Sequence, residues 1–150
     1  MSVTAHRISI AIAVLALAGI VVSSVSLRNH YATSATTYCD VGENFNCDIV
    51  NRSAYSVVAG IPVALIGIMG YAVLLGLSTL YRAKAETPAM LLIASVAGLG
   101  FALYLTYIEG FVLGVWCILC LSSLALIFSI AVLSLLLVIH SGRRLRNFRA

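Results

Sequence analysis

Charge is what this chain has least of. Its 150 residues include 9 Lys or Arg and 5 Asp or Glu, 9 % in all, while 62 % are hydrophobic. A soluble domain carries roughly a quarter charged residues, so an ordinary soluble globule is excluded. No internal repeat and no low-complexity tail breaks the chain, and its length suits one domain over 1–150. The net charge of +4 is no sign of a nucleic-acid partner once its distribution along the chain is considered. Histidine is scarce near the cysteines: His6 and His140 lie at the far ends of the chain and His30 is remote from Cys39 in sequence. That weighs against a structural zinc site, as does the seven-residue gap in one of the two cysteine pairs.

What is present is long apolar runs. Ile8–Leu27 has no charged residue, enough to cross a hydrocarbon core of about 30 Å. Val57–Leu80, Ala89–Ile108 and a run through 115–139 follow. The fold expected is therefore all-α and integral to a membrane, a bundle of four transmembrane helices over approximately 8–27, 57–80, 89–108 and 115–139. A cysteine-containing extracytoplasmic loop, 28–56, joins the first two. The first run is longer than a signal-peptide core of roughly 7–15 residues, which favours a retained span. Pro62 is expected to kink or break the second span near its outer end, and Pro88 suits a first helical turn. Small residues at helical spacing (Gly60, Ala64 and Gly67; Ala94, Gly98 and Ala102) allow close helix packing. Glu109-Gly110 is expected to be the tip of a tight hairpin between spans three and four, with Glu109 a solvated turn residue in preference to a participant in proton transfer during quinone reduction.

The basic residues set the orientation. Arg7, Arg82, Lys84, Arg143, Arg144, Arg146 and Arg149 fall on one side of the spans, and Arg28 and Arg52 on the other. The positive-inside rule places the first group and both termini in the cytoplasm. Asp40, Glu43, Asp48 and Glu109 then lie outside with all four cysteines, in the compartment where disulfides form and persist.

Those cysteines come in two pairs, Cys39 and Cys47 in CDVGENFNC and Cys117 and Cys120 in WCILC. Two thiols three apart share one face of a helix, and a helix N-terminus favours the thiolate that redox chemistry needs. A thiolate attacks a disulfide through a mixed disulfide, so two pairs within reach can pass electrons. The alternatives are a plain loop staple with buried small thiols, or a carrier of soft metal ions such as Hg(II) or Cu(I), which thiolates suit. A carrier needs ligands on the inner side, where there is no cysteine. Asp48 or Ser53 is expected to cap a short helix leading into span two.

C-x7-C, Ser53 six residues later, Gly60-Ile61-Pro62, and YLTYIEGFVLGVWCILC over Tyr104–Cys120 together resemble the vitamin K epoxide reductase family in its bacterial form. The resemblance covers nearly the whole chain. It implies a four-helix bundle around a quinone, ubiquinone or menaquinone, in a cell membrane. Cys120 would face the quinone, Cys117 would exchange with Cys47, Cys39 would meet the partner, and Ser53 would support the site by hydrogen bonding. Tyr55, Tyr104, Tyr107 and Trp116 are candidate quinone contacts, although Tyr and Trp gather at membrane interfaces for other reasons. The activity implied is a quinone-dependent thiol-disulfide oxidoreductase supporting disulfide formation. Leu124 stands four residues after the last cysteine, where the animal enzymes have a tyrosine, and the second span has no asparagine. Those departures favour plain quinone reduction over epoxide reduction. The chain ends at Ala150 with no fused thioredoxin-like domain, so the implied partner is a separate thioredoxin-like protein.

Overall fold

The computed structural model describes residues 3–33, 39, 44–80 and 87–149. Asp40, Glu43, Arg82 and Lys84, used above to read loop character and orientation, lie outside them. Helix α1 (Val3–Tyr31) is followed by a five-residue helix α2 (Cys47–Asn51) and a 3-10 turn (Ala54–Ser56). A minimal hairpin, β1 (Val57–Val58) with β2 (Ile61–Pro62), leads into α3 (Val63–Leu80). Helix α4 (Thr87–Tyr107) runs on as a π-helical turn (Ile108–Leu113), and α5 (Ile118–Arg149) completes the chain.

Three stretches are long and apolar enough to cross a membrane: Val3–Tyr31, Thr87–Leu113 and Ile118–Gly142. The fourth apolar helix is shorter, Val63–Thr79. The expected second span therefore loses its first six residues. Ala59 and Gly60 both take positive φ, 52° and 81°, as a two-residue hairpin turn with the twist of its strands requires. Pro62 ends β2, so the chain arrives extended and the helix starts one residue later. The first and third spans are longer than expected, and the last keeps its expected length but starts three residues later. Arg28 and His30 belong to the last turn of α1, where cations complement the helix dipole.

Helix α1 is packed inside out relative to a soluble helix. Its buried residues are Ala5, Ser9, Ile12, Ala16, Gly19, Ser23, Ser26 and Asn29, three or four apart, whereas Ile10, Val14, Leu17 and Val21 are exposed. Lipid is as apolar as leucine, so membrane helices associate through small residues that let backbones approach. Gly19 shows why: a Cβ there would run into the ring of Tyr71 from α3. Gly67 is the reciprocal case, its absent Cβ leaving room for Ser23 Oγ. Helix α1 packs on both α3 and α5, and α4 packs on α5, while α3 and α4 meet less extensively. Ile12, Leu91, Ile130 and Leu137 form the fully buried apolar centre. The looser α3–α4 seam leaves a cavity of about 320 Å³ lined from all four helices.

Candidate functional site

At the end of the bundle where α5 begins, the chain makes a clamp. Trp116 N–H donates to Asn44 O (2.9 Å) and Asn46 N–H donates to Trp116 O (3.1 Å). This is a parallel bridge between Phe45 and Trp116. Cys47 lies two residues beyond that bridge and Cys117 one. The register thus delivers the two cysteines side by side. The Trp116 ring is seated where Gly110 has no side chain, since a Cβ there would come within 2.9 Å of it.

Both cysteines open helices. Asn46 caps α2, its Oδ1 accepting from Asp48 N–H and Ile49 N–H at 3.1 Å each. Asp48 or Ser53 was the expected cap. Asn46 prevails because it alone precedes the first helical residue and reaches the free amides. Cys117 caps α5: its carbonyl accepts the first helical bond, from Leu121 N–H at 3.0 Å. Its thiol is lowered below the usual thiol range, chiefly by a hydrogen bond with the Cys120 thiol. The N–H groups of Cys120 and Leu119 add to this, against burial and the nearby Glu109 carboxylate. A cysteine in the N-cap position turns the helix's free amides onto its sulfur.

Cys39 and Cys47 form a disulfide, Cα–Cα 5.5 Å, within the usual span. Cys117 and Cys120 are free thiols. The sulfurs of Cys39, Cys47 and Cys117 lie within 4.8 Å of one another, and all three residues are at most 2 % exposed. A free thiol therefore sits against a disulfide, which is the starting geometry for exchange. Helix α2 is held to α1 by Ser26 Oγ donating to Asn51 Oδ1 (2.6 Å) and by the ring Nδ1 of His30 donating to Asn51 O (2.5 Å).

Cys120 has a second outlook. It lines the 320 Å³ cavity beside Tyr71, Ser123, Ser26 and Ala102, and also a smaller cleft of about 50 Å³. Tyr71 Oη lies 2.9 Å from both Ser123 O and Ser123 Oγ, tying α3 to α5. Of the aromatic residues singled out from the sequence, Tyr55 borders the small cleft. Tyr104 and Tyr107 face outward, 56 % and 58 % exposed, and neither lines the 320 Å³ cavity or the small cleft. Trp116 serves the clamp. Ser53 borders the small cleft and donates from Oγ to Val50 O (2.8 Å). Arg52 pairs with Asp48 at 4.0 Å.

Glu109 departs from expectation most. It is no solvated tip but 2 % exposed, in the π-helical turn, and its Oε2 accepts the Cys117 N–H at 3.2 Å. Reversal of the chain waits until Gly114, at φ 66°. An acid inside an otherwise apolar run is a signal for function in its own right; Asn directly before Cys47 was the corresponding signal for the cap. Tyr71 and Ser123 had no such mark.

An apolar helical bundle with a thiol–disulfide cluster at one end and a cavity touched by one of the thiols defines a membrane oxidoreductase. The chain belongs to the vitamin K epoxide reductase family, whose family model matches residues 10–135. No curated protein matches it. Membership carries thiol and quinone oxidoreductase chemistry at the level of the family.

Proposed function

We propose that this protein is a membrane thiol:quinone oxidoreductase that reoxidises a separate thioredoxin-like protein and so supports disulfide formation. The observation that carries it is the double placement of the Cys117/Cys120 pair, Cys117 against the Cys39–Cys47 disulfide and Cys120 on the cavity wall. All four apolar helices span in this reading, α3 by about 27 Å at 1.5 Å per residue. The termini are cytoplasmic and the cysteines lie on the opposite face.

The cavity fits a quinone, which is here a substrate. It is of ligand size, its walls are apolar, and Tyr71, Ser123, Ser23 and Ser26 are the polar groups available to quinone oxygens. A quinone supplies a two-electron, two-proton acceptor, and a dithiol releases both on becoming a disulfide. Electrons run from the partner to Cys39/Cys47, then to Cys117/Cys120, then to ubiquinone or menaquinone. Cys39 is buried here, so a partner reaches it only when its segment opens. Leu124 and the absence of asparagine from Val57–Leu80 favour quinone over epoxide as the substrate.

The test is anaerobic quinone reduction by purified protein, with a reduced thioredoxin-like donor or a small dithiol. Cys39→Ser is expected to lose turnover with the protein donor and keep it with the small dithiol, and Cys120→Ser to lose both. Full activity of Cys120→Ser would overturn the assignment of the cavity-facing thiol. Wild type inactive with both donors and both quinone types would return the three clustered sulfurs to the soft-metal reading.

A further inference from the structure

Glu109 is the one buried carboxylate among the described residues, and neither the clamp nor the relay as described uses it. Its Oε2 holds the Cys117 N–H and its Oε1 is buried with no hydrogen-bond partner. The Cys120 thiol lies within interaction range of the same carboxyl, and both residues border the small cleft. The other titratable groups lining that cleft are His30 from α1 and Tyr55 from the 3-10 turn, and Cys117 at the start of α5 touches Glu109 through its N–H. Helices α3 and α4 present Val63, Ala64 and Leu105 to it. On α2, Asp48 and Arg52 pair with each other. A buried carboxyl with one oxygen left without a hydrogen bond is costly, and functional groups repay such a cost more often than structural ones do. It also stands on a π-helical turn, a distortion frequent at functional sites.

The two thiols beside it differ in what receives their charge. Cys117 has the N–H groups of Leu119 and Cys120, whereas Cys120 faces the carboxyl and an apolar cavity. The geometry points to Glu109 as the group that gives a proton to Cys120, and takes one from it, during exchange between the two pairs. This rests on the thiol relay proposed above. In the forward direction Cys47 thiolate attacks Cys117 in a Cys117–Cys120 disulfide. The Cys47–Cys117 bond forms, the Cys117–Cys120 bond breaks, and its electron pair stays on the Cys120 sulfur, which takes the Glu109 proton. Cys39 then loses its proton and attacks Cys47. The Cys39–Cys47 bond forms, Cys117 leaves as thiolate, and the proton lost by Cys39 balances the one given by Glu109. Two electrons have passed from the loop pair to the membrane pair. The product has the bonding seen in the structure, Cys39–Cys47 joined and the other two free.

Glu109→Gln separates this role from simple anchoring, because its amide oxygen still accepts the Cys117 N–H. Quinone reduction driven by a small dithiol is measured against pH for wild type, Glu109→Gln and Glu109→Asp. Glu109→Gln is expected to lose on the order of 100-fold, the lower range for removing a general acid–base group. Its residual rate falls as pH rises, since the proton must then come from solvent, and Glu109→Asp recovers part of the loss. A Glu109→Gln rate within about twofold of wild type, with the wild-type pH profile, would overturn the inference and leave Glu109 as an anchor. A second measurement needs no quinone. In a Cys117→Ser background, methylthiolation of Cys120 by methyl methanethiosulfonate, which forms a methyl disulfide on Cys120 and releases methanesulfinate, is followed against pH with Glu or Gln at 109. A changed curve is expected. Superimposable curves sink the proton role whether or not the wild type turns over, while a wild type that reduces no quinone counts against the relay alone.

Discussion

The two cysteine pairs are held by opposite means. Cys117 and Cys120 belong to the first turn of one helix, and that turn alone fixes their spacing and turns amides onto Cys117. Cys39 and Cys47 are joined covalently, but their place beside Cys117 depends on distant partners. These are Trp116 at the clamp, and Ser26 and His30 of α1 gripping Asn51. A pair built into a helix is positioned by local geometry and is hard to move. A pair positioned by a few long-range hydrogen bonds can be released when they break. A relay that must meet a protein at one end and a lipid-phase substrate at the other calls for one pair of each kind.

The comparison breaks most completely at Cys117, the described free thiol whose sulfur lies against the loop disulfide. Cys117→Ser is expected to abolish quinone reduction with every donor, since neither exchange nor a second disulfide can then form. Alkylation under denaturing conditions should count one free thiol per chain, Cys120, with Cys39–Cys47 still oxidised. Retained turnover would mean that Cys120 meets the loop pair directly.

The helix side is sharpened by pH. Cys117 is lowered below the ordinary thiol range, so its alkylation should persist to lower pH than that of an exposed thiol. A depressed folded value contributes stability that is complete above the unfolded thiol value and is lost as pH falls through the folded one. The stability gap between wild type and Cys117→Ala should therefore narrow on acidification across that window, read from thermal midpoints in detergent. A midpoint of alkylation at or above that of a free thiol would remove the N-cap account.

The same division explains what could be read from the sequence. Long apolar runs gave the helices, because burial in lipid needs length and little else. C-x-x-C gave the helix pair, because three-residue spacing on a helix is a local fact. The hairpin at Val57–Pro62 was missed: apolar strand residues continue the apolar run, and only Gly60 and Pro62 signal the break. Glu109 was misplaced as a solvated tip because the π-helical turn carries the helix past it to Leu113. The clamp was invisible, since pairing of Phe45 with Trp116 joins segments some seventy residues apart and leaves no periodic mark. Tyr104 and Tyr107 carry the same sequence mark as Tyr71, none beyond being tyrosines in apolar runs, yet Tyr71 is the one that meets a glycine, Gly19, and lines the cavity.

The smallest expected effect lies on the loop side, at Asn46. Its side chain satisfies two amides at the start of α2, and Asn46→Ala should cost about 1 kcal/mol, typical of a lost N-cap. That loss falls on the segment carrying Cys47 rather than on the bundle, so overall thermal stability should barely change. Local opening should instead become roughly fivefold more frequent, the equilibrium equivalent of about 1 kcal/mol. Reduction of Cys39–Cys47 by dithiothreitol, timed by quenched alkylation, should quicken in proportion, while Asn46→Asp stays near wild type because aspartate caps as well. Equal rates in all three proteins would show that the two backbone bonds to Trp116 hold Cys47 without help from the cap. The loop pair would then be placed by its clamp alone, and its release would have to begin at Trp116.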